Sequence, residues 1–562
     1  MPREPFSVYN TWGYHDTLGD QVDLSERIAL NALKALRRWQ DDFGLSYRYF
    51  VLDYGWFNPR KGFQFDAQRW PKGPERLLER LRAAGMLPGL WYSTNGYKLQ
   101  VSRWKKSLCA SGSHYSLVEG PFGAEFEQSL LQAADQWGVR YFKFDFAAFA
   151  QRPADSIHTQ EEHAWLSRLR FSEMLARLRE RFPDVRTVGH GGFGEIADPH
   201  SPGEPLWPQA DPALLADFDH YFSKDPHILD RPQLELSRAR DLDQDWGVWR
   251  RHQEGFPLSR IDDHGVMVGP TNTCFYIGRR GFQRSHLAQL ARGARRDLFH
   301  GNPALLTDED VSNIRRHRAW FFNAWRKELP TRFVGPGEPG LTPWHGYLTG
   351  GGHDGLLYLV NPHWQYATVS LELPGLREAT VLFTDQVQGP AVSMQCGRLH
   401  VELGPESMVL LGLGQSAHRL PELQRRGEVP APSRLRLLTA SFEEEAATLT
   451  ARLPKSLEKN ERLVVAARLV DRESRLPVRI GKQTTRERRR MRSEVQDGLC
   501  VCVYRKGRRL EHEAQEPAVP LFCGASWVVR QFQCRGPVEI RIVNEAAPQA
   551  AVEATAYALT VE

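Results

Sequence analysis

Cysteine, long apolar runs and net charge are all scarce in this chain of 562 residues, and each scarcity excludes a class of protein. The seven cysteines are odd in number and scattered, which predicts reduced thiols in a cytosol rather than a disulfide framework. No run approaches the roughly 18 apolar residues of a membrane span, and the opening MPREPFSVYNTW has no apolar signal core. We therefore expect a cytoplasmic protein without a membrane partner.

The charge balance gives no reason to expect a nucleic-acid partner, because +5 is a small net charge for so long a chain. The run TTRERRRMR at 484–492 is predicted to be a solvated loop or strand edge. No H-x-x-x-H, C-x-x-C or calcium-loop spacing occurs, so a metal site is not expected. The CVC at 500–502 lacks the two-residue spacer of a metal or redox pair, and we interpret it as alternation within a strand.

Strand-like and helix-like segments alternate from the start of the chain to about residue 330, with eight candidate strands. These contain FSVYNTW, YRYFVLDYG, MLPGLWYS, VRYFKFDF, VRTVGHGG, DHYFSKD, HGVMVGP and PALLT, the last after a helix at 283–299. Repeated β-α alternation implies a parallel sheet, and eight rounds favour a (β/α)8 TIM barrel, an α/β fold, over residues 1–332. A doubly wound sheet shares the alternation, but the Gly-rich dinucleotide turn typical of that fold is missing.

After the barrel the pattern changes to short strands separated by Gly, Pro and Asp turns. Residues 333–415 are predicted to form a C-terminal β-sandwich, and the polar, proline-containing stretch 416–432 a linker. Residues 433–562 are predicted to form a further all-β accessory domain, to which the sequence gives no role.

Two of the predicted barrel strands run directly into carboxylates, Asp53 in FVLDYGWF and Asp145 in YFKFDFAAF. Because burying an unpaired carboxylate is costly, each is either paired structurally or part of a site. Catalytic groups lie at the carboxyl ends of barrel strands, and retaining glycosidases need two carboxyl groups about 5–5.5 Å apart. Lys143 lies on the same side of its strand as Asp145, where its charge would keep Asp145 ionised. A purely structural Lys–Asp pair fits that spacing equally well.

A family resemblance is carried by an ordered set of motifs rather than by any single one. VYNTWGY, FVLDYGWF, WPKGPERLLERLRAAGMLPGLWYS and YFKFDF resemble, in order and spacing, the barrel of the melibiases, the α-galactosidase clan of glycoside hydrolase families 27 and 36. GHGGFGEIAD, YFSKDPHILDR and PLSRIDDHGVMVGPTN resemble the family's fifth-strand turn, sixth-strand segment and seventh unit. The likeness extends over roughly residues 6–415.

This resemblance implies a role for each matching residue, and it implies no cofactor. Asp145 takes the nucleophile position of the family's K-x-D motif, and Lys143 would bind sugar hydroxyls and hold Asp145 anionic. The other expected substrate contacts are Trp12, Asp53, Tyr54, Trp91, His190, Arg231 and His264.

The acid/base residue falls in SKDPHILDR, where the alignment allows Lys224 or Asp225. Lysine, with a reference pKa of about 10.4, is too weak an acid to protonate a glycosidic oxygen at neutral pH. We therefore predict Asp225 as the acid/base, with Asp230 and Asp219 behind it.

Two departures from the family leave the sugar open. Tyr54 stands where the family has a second acid that clasps galactose hydroxyls, and Phe146 is expected to narrow the pocket near C2. Galactose is therefore one candidate, and N-acetylgalactosamine or a pentopyranose is another. Asp262 and Asp263 are expected to cap or solvate a loop rather than to catalyse.

The predicted function is a retaining α-glycoside hydrolase, α-galactosidase-like, that cleaves a terminal α-linked sugar from an oligosaccharide or glycoside through a covalent glycosyl-aspartate. Two alternatives stay open. A transglycosylase shares the chemistry up to the covalent intermediate, and a catalytically impaired carbohydrate-binding protein is suggested by Lys224 and Tyr54. The sequence leaves a homo-oligomer open.

Overall fold

The structure is a computed structural model of the chain. It describes residues 4–14, 24–193, 210–224, 236–269, 281–386, 389–395, 397–418, 435–445, 447–454, 457–473, 499–512, 527–545 and 547–560. The chain forms two compact units, each described by itself. The first contains residues 1–225, 247–270 and 292–328, and the second contains 226–246, 271–291 and 329–562.

The first unit is built on a parallel sheet whose strands follow one another in chain order, with the last strand returning to the first. The strands of this sheet are β1 (Phe6–Asn10), β2 (Tyr49–Leu52), β5 (Leu87–Ser93), β6 (Tyr141–Asp145), β7 (Arg186–Gly189), β8 (His220–Phe222), β9 (Ile261–Asp262), β10 (Val266–Val268) and β11 (Arg296–Gly301). Two further strands, β3 (Phe57–Asn58) and β4 (Gly62–Phe65), form a small hairpin outside the main sheet. Every residue of β2 is buried, as expected for a parallel sheet covered on both faces.

The seventh barrel strand is interrupted. Its first half, β9, pairs with β8, whereas its second half, β10, pairs with β11. Between the halves, His264 and Gly265 have φ angles of 59° and 57°, which turn the chain out of the extended conformation. With these halves counted as one strand, eight strands form the barrel that the sequence predicts.

Helices alternate with the strands along the chain. They are α1 (Glu26–Phe43), α2 (Glu75–Ala83), α3 (Phe122–Gln136), α4 (Gln160–Arg181), α5 (Leu236–Gln253), α6 (Phe282–Ala291) and α7 (Asp308–Arg326). Two of them begin with capping boxes, Thr159 with Glu162 in α4 and Thr307 with Asp310 in α7. Among the described residues, no helix is both long enough and apolar enough to cross a membrane.

The prediction of the eighth strand is wrong. PALLT contains a single 3-10 turn at Pro303–Leu305. The helix predicted at 283–299 ends at Ala291, and the eighth strand is Arg296–Gly301.

This strand is hard to recognise in the sequence because it begins with two charged residues. Arg296 and Asp297 open it, yet both are buried because each has an ion-pair partner within the same unit. Arg296 Nη2 lies 2.5 Å from Asp262 Oδ1, and Asp297 Oδ2 lies 2.5 Å from Arg318 Nη2. Pairing makes the burial of such charges tolerable, and a count of apolar residues cannot anticipate it.

Apolar side chains from the early part of the barrel strands pack together in its interior. They are Phe6, Val8, Tyr49, Val51, Tyr141, Val188 and Leu298. These side chains fill this part of the barrel interior.

The second unit contains a sandwich of two antiparallel sheets. Its elements are β12 (Thr331–Val334), β13 (His345–Gly350), β14 (Asp354–Val360), β15 (Ala367–Glu372), β16 (Ala379–Thr384), β17 (Ala391–Gln395), β18 (Arg398–Leu403), β19 (Met408–Gly414) and the short α8 (Gln415–His418). One sheet has the order β12-β13-β14-β19-β16 and the other β15-β18-β17. Leucines and valines from both sheets share one core.

A second sandwich follows in the same unit. Its strands are β20 (Leu435–Leu437), β21 (Phe442–Glu445), β22 (Thr448–Leu453), β23 (Glu461–Val470), β24 (Leu499–Arg505), β25 (Arg508–Leu510), β26 (Trp527–Phe532), β27 (Val538–Asn544) and β28 (Ala551–Thr560). They form a four-stranded sheet, β20-β28-β23-β26, and a five-stranded sheet, β21-β22-β27-β24-β25, over a common apolar core. An all-β fold was predicted for this region.

The two sandwiches share a small apolar cluster centred on Trp364. Its ring meets the ring of Tyr557 edge-on at 4.6 Å, and Val464, Val529 and Leu559 complete the contact. The accessory sandwich therefore packs directly on the first one.

Candidate active site

The carboxyl ends of the barrel strands collect the polar residues that the sequence singled out. Asp53 directly follows β2, and Asp145 is the last residue of β6. His190 directly follows β7, and His264 lies in the break of the seventh strand. One end of the barrel therefore carries two carboxylates and two imidazoles.

The innermost part of this site is a buried ion pair between Lys143 and Asp53. Lys143 Nζ lies 2.8 Å from Asp53 Oδ2, and the residues are 6% and 1% exposed. The same oxygen accepts a hydrogen bond from Asn10 Nδ2 at 2.8 Å, while Oδ1 accepts one from the Tyr54 N–H at 2.8 Å. Three donors from separate parts of the chain thus fix this carboxylate.

The two members of this pair stabilise each other's charge. Burial alone would raise the pKa of Asp53, but Lys143, Tyr54 and Asn10 hold it well below its usual range. Burial alone would lower the pKa of Lys143, but the carboxylates of Asp53 and Asp145 raise it above its usual value. Both groups are therefore charged at neutral pH, and the Lys143 ammonium interacts electrostatically with the carboxylates of both Asp53 and Asp145.

Asp145 differs from Asp53 because its side chain is partly exposed. Trp91 Nε1 donates to Asp145 Oδ2 at 3.3 Å, and the Phe146 N–H donates to Oδ1 at 2.8 Å. The Asp145 backbone carbonyl accepts a hydrogen bond from the Thr94 N–H at 2.8 Å. These contacts orient the carboxylate and leave it accessible, as a nucleophile requires.

The chain turns sharply after Asp145. Phe146 has a φ of 51°, a left-handed conformation that costs a bulky residue roughly 1–2 kcal/mol. The Ala147 N–H then donates to the Gly191 carbonyl at 3.1 Å. At Gly192, where φ is 96°, a Cβ would lie 2.0 Å from the Ala147 oxygen, so only glycine permits this approach. Backbone strain of this kind clusters at functional sites.

Aromatic rings stand beside Asp145, and we call Tyr54, Trp91, Tyr97 and Phe146 the aromatic rim. Trp91 meets Tyr54 edge-on at 5.3 Å and Phe146 at 6.0 Å, and Tyr97 lies 4.9 Å from Phe146. Lys98 Nζ lies 5.3 Å from the Tyr54 ring and 5.6 Å from the Tyr97 ring. Phe146 is 43% exposed, so an apolar ring face is available next to the carboxylate.

His190 is buried among polar and aromatic groups. Its Nε2 lies 3.4 Å from Asp262 Oδ2, and its ring stacks on Phe222 at 5.0 Å and meets His264 edge-on at 4.9 Å. Burial lowers the pKa of His190 to about 4, and the charge of Lys143 acts in the same direction. This imidazole is therefore neutral at neutral pH, and it can donate or accept a hydrogen bond without carrying charge.

Asp262 and Asp263 cap the loop in the seventh strand. Asp262 Oδ1 accepts a hydrogen bond from the His264 N–H at 2.8 Å, and Asp263 Oδ1 accepts one from the Gly265 N–H at 3.1 Å. Asp263 Oδ2 also pairs with Arg292 Nη1 at 2.9 Å. The predicted capping role is confirmed, but the alternative of a solvated role is wrong, because the two residues are 1% and 2% exposed.

Asp219, the reserve candidate for the acid/base, lies at the wrong end of the barrel. It precedes β8, and its Oδ1 is 3.2 Å from Arg186 Nη1, at the start of β7. Its Oδ2 accepts a hydrogen bond from the Thr187 N–H at 2.9 Å. Asp219 thus has a structural role at the amino ends of the strands, away from Asp145.

The segment predicted to supply the acid/base is only partly described. Lys224 follows β8 and is 5% exposed. Asp225, Asp230 and Arg231 lie outside the described residues.

Sequence reasoning missed Asn10 and His300. Asn10 bonds Asp53 through Nδ2 and accepts the Trp12 N–H through Oδ1 at 2.8 Å, so it joins two of the predicted sugar contacts. His300 lies opposite Asn10 in the sheet, and burial, reinforced by Lys143, holds its pKa well below the usual value. Asn10 stood in the VYNTWGY motif without a role, whereas His300 had no signal because its strand was assigned to a helix.

Within the described ranges, no group of three or more His, Cys, Asp or Glu residues could hold a metal ion. The arrangement instead offers a partly exposed carboxylate, a buried ammonium and the exposed ring of Phe146. These groups are suited to attack on an electrophilic carbon and to binding of a hydroxylated ring.

Comparison of folds places the chain with (β/α)8 barrels that carry β-domains after the barrel. In particular, it is similar to the galactosidase domain of an α-galactosidase–sucrose kinase (16% identity, TM-score 0.50), with 73% of this chain and 54% of that one covered. It is also similar to a variant of the GH36 α-galactosidase AgaA from Geobacillus stearothermophilus in complex with raffinose (14% identity, TM-score 0.51, 73% and 56% covered). A third similar structure is the α-galactosidase from Lactobacillus brevis (12% identity, TM-score 0.52, 73% and 55% covered).

The chain spans about half the length of these structures. No family model matches it, and no curated protein matches its sequence. The likeness therefore establishes the fold, and the activity has to be argued from the site.

Proposed function

We propose that the protein is a retaining α-glycoside hydrolase of the α-galactosidase kind, acting in the cytoplasm on an oligosaccharide or glycoside. One observation carries this proposal. A partly exposed carboxylate, Asp145, is oriented by Trp91 and lies two residues beyond Lys143, which is buried against Asp53.

In this proposal an oxygen of Asp145 attacks the anomeric carbon of an α-linked sugar while the bond to the leaving oxygen breaks. The leaving oxygen takes a proton from an acid, and the sugar is left as a β-linked ester of Asp145. Water then attacks the same carbon, the same acid group, now a base, takes its proton, and the Asp145 carboxylate is released. Lys143 keeps Asp145 ionised before attack and stabilises it again as leaving group.

Asp225 is the proposed acid/base, on the resemblance alone. The neighbouring Lys224 is a poor proton donor at neutral pH, since its ammonium has a reference pKa of about 10.4.

The sugar is proposed to be galactose or a close relative. Both oxygens of Asp53 are engaged, Oδ2 by Lys143 and Asn10 and Oδ1 by the Tyr54 N–H, so a clasp of two adjacent hydroxyls would need a second group. Tyr54 offers one hydroxyl in that region, and Phe146 stands next to the nucleophile with an exposed ring. We propose that Phe146 limits substituents at C2, and a screen of chromogenic α-galactoside, α-N-acetylgalactosaminide, α-glucoside and β-arabinopyranoside would test this.

The mechanism is tested with an activated 2-fluoro glycosyl fluoride, which traps the covalent intermediate. Peptide mass spectrometry is expected to find the sugar on the peptide that contains Asp145. Asp145→Asn should form no adduct, whereas the matched Asp53→Asn, which alters binding but keeps the nucleophile, should still form one more slowly. An adduct on another carboxylate, or none with any α-sugar tested, would refute the proposal.

The same experiment separates the alternatives. A transglycosylase would form the adduct but transfer the sugar to added saccharide acceptors rather than to water. A catalytically impaired binding protein would form no adduct and yet bind sugar equally well in the wild type and in Asp145→Ala.

A further inference from the structure

Two cysteines lie side by side on the outer face of the five-stranded sheet in the accessory sandwich. Leu499, Val501 and Val503 of β24 point into the core, so the alternate residues Cys500 and Cys502 face the other way. Their Sγ atoms are 3.5 Å apart, and both are free thiols. The CVC motif is thus the predicted strand alternation, and that alternation places the two sulfurs in contact.

An intrastrand disulfide does not suit this geometry. Residues two apart in a strand have Cα atoms about 6.6–6.8 Å apart, at the upper limit for disulfides. Their Cβ atoms point the same way, so the Cβ–Cβ distance stays beyond the roughly 3.5–4.5 Å that a disulfide needs. Closing the bond would distort a strand that pairs with β27 from Leu499 to Tyr504. We therefore expect the two cysteines to remain reduced as a pair of thiols.

Two guanidinium groups lie near the pair. Arg509 Nη2 lies 3.8 Å from Cys500 Sγ, and Arg541 is the cross-strand neighbour of Cys502. Arg541 itself pairs with Glu539, whose Oε1 is 2.5 Å from Arg541 Nε. If a ligand displaces the thiol protons, the two guanidinium groups would therefore partly neutralise the negative charge of the resulting complex.

We infer that Cys500 and Cys502 form a dithiolate site for a soft, thiophilic cation that needs only two sulfur ligands, namely monovalent copper. Thiolates select soft ions of this kind. Binding exchanges two S–H bonds for two S–Cu bonds, so that Cu⁺ and two thiols give a bis-thiolate complex of charge −1 and two protons. No electron is transferred, and no further ligand is needed from the described residues, which hold no larger metal-binding group.

The test uses the full-length protein under anaerobic conditions, with Cu⁺ supplied as its complex with the chromogenic chelator bicinchoninate. The wild type is expected to remove one equivalent of Cu⁺ more than Cys500→Ser or Cys502→Ser, with at least tenfold tighter binding at that equivalent. Cys109→Ser is the matched control, because the Cys109 thiol is buried and bonded to the Gln151 carbonyl at 3.3 Å. It should take up as much Cu⁺ as the wild type.

A second measurement needs no variant. Phenylarsine oxide joins two neighbouring thiols through arsenic with loss of one water, and its adduct is expected on the peptide that contains both cysteines. Unchanged Cu⁺ uptake in the two serine variants, or equal loss in the Cys109 control, would overturn the inference. So would the absence of the arsenic adduct, or ready formation of a Cys500–Cys502 disulfide with oxidised glutathione.

Discussion

Removing the ammonium of Lys143 is the most informative single change in the barrel. Lys143→Met leaves the Asp53 carboxylate, which is 1% exposed, with hydrogen bonds from Asn10 and Tyr54 but no opposite charge. Breaking a buried ion pair from one side costs about 3–5 kcal/mol. Since one pKa unit corresponds to about 1.36 kcal/mol, this loss equals a rise of about 2–4 units in the pKa of Asp53.

The loss should depend on pH. In the wild type the pKa of Asp53 is depressed, so its stabilisation is fully present above the unfolded-state value of about 3.9 and is lost as the pH falls from there toward the folded-state value. In Lys143→Met a rise of about 2–4 units returns the folded-state pKa to about the unfolded-state value, so Asp53 no longer stabilises the variant. The difference between the two proteins is therefore constant above about pH 5 and shrinks only at lower pH.

Hydrogen exchange of the backbone amides in β2 and β6, corrected for intrinsic rates, measures this difference at pH 7 and at pH 4.5. Lys98→Met is the matched control, because Lys98 is exposed and its ammonium lies over the rings of Tyr54 and Tyr97, contacts worth about 0.5–1 kcal/mol each. The double variant Asp53→Asn/Lys143→Met should recover most of the loss, because no charge is left unpaired. A loss below about 1 kcal/mol at pH 7 would refute the reasoning.

Three further outcomes are expected. Trp91→Phe removes the donor to Asp145, worth about 1.5–3 kcal/mol, so kcat/KM on the best α-glycoside should fall roughly 10- to 150-fold. Gly192→Ala should lower the melting temperature much more than Gly138→Ala, because both positions have positive φ but only the first would place its Cβ 2.0 Å from another atom. Between about pH 6.5 and pH 4, the free energy of unfolding of His190→Gln should fall by up to about 3 kcal/mol less than that of the wild type. The wild-type imidazole resists protonation down to about pH 4 while the unfolded chain takes up the proton, and thermal unfolding across that range measures the effect.

Much of the fold could be predicted because its strands are apolar on both faces and end at turns. β2 and β6 are near-continuous apolar runs, and the sequence placed both correctly, together with the carboxylates that follow them. The eighth strand could not be found in this way. It opens with Arg296 and Asp297, whose burial depends on partners that are distant in sequence.

The site was predicted in the same uneven way. The i, i+2 spacing of Lys143 and Asp145 predicts a common side of the strand, but it could not give Asp53 as a partner of Lys143 at 2.8 Å. That contact reaches across β5, which lies between β2 and β6, and it depends on the register of all three strands, which no local pattern specifies. For the same reason, the sequence predicted only a loop role for Asp262 and not its side-chain contact with His190 at 3.4 Å.

Trp364 has a consequence for anyone who wishes to shorten this protein. Its indole is 6% exposed only because Tyr557 and its neighbours cover it, and its Nε1 donates to Glu406 in its own sandwich. A truncated chain ending at residue 434 would present that ring to water on a surface shaped to receive another domain. We expect such a truncation to aggregate unless Trp364 is exchanged for a polar residue, so the last two domains should be cloned, transplanted and crystallised as a single piece.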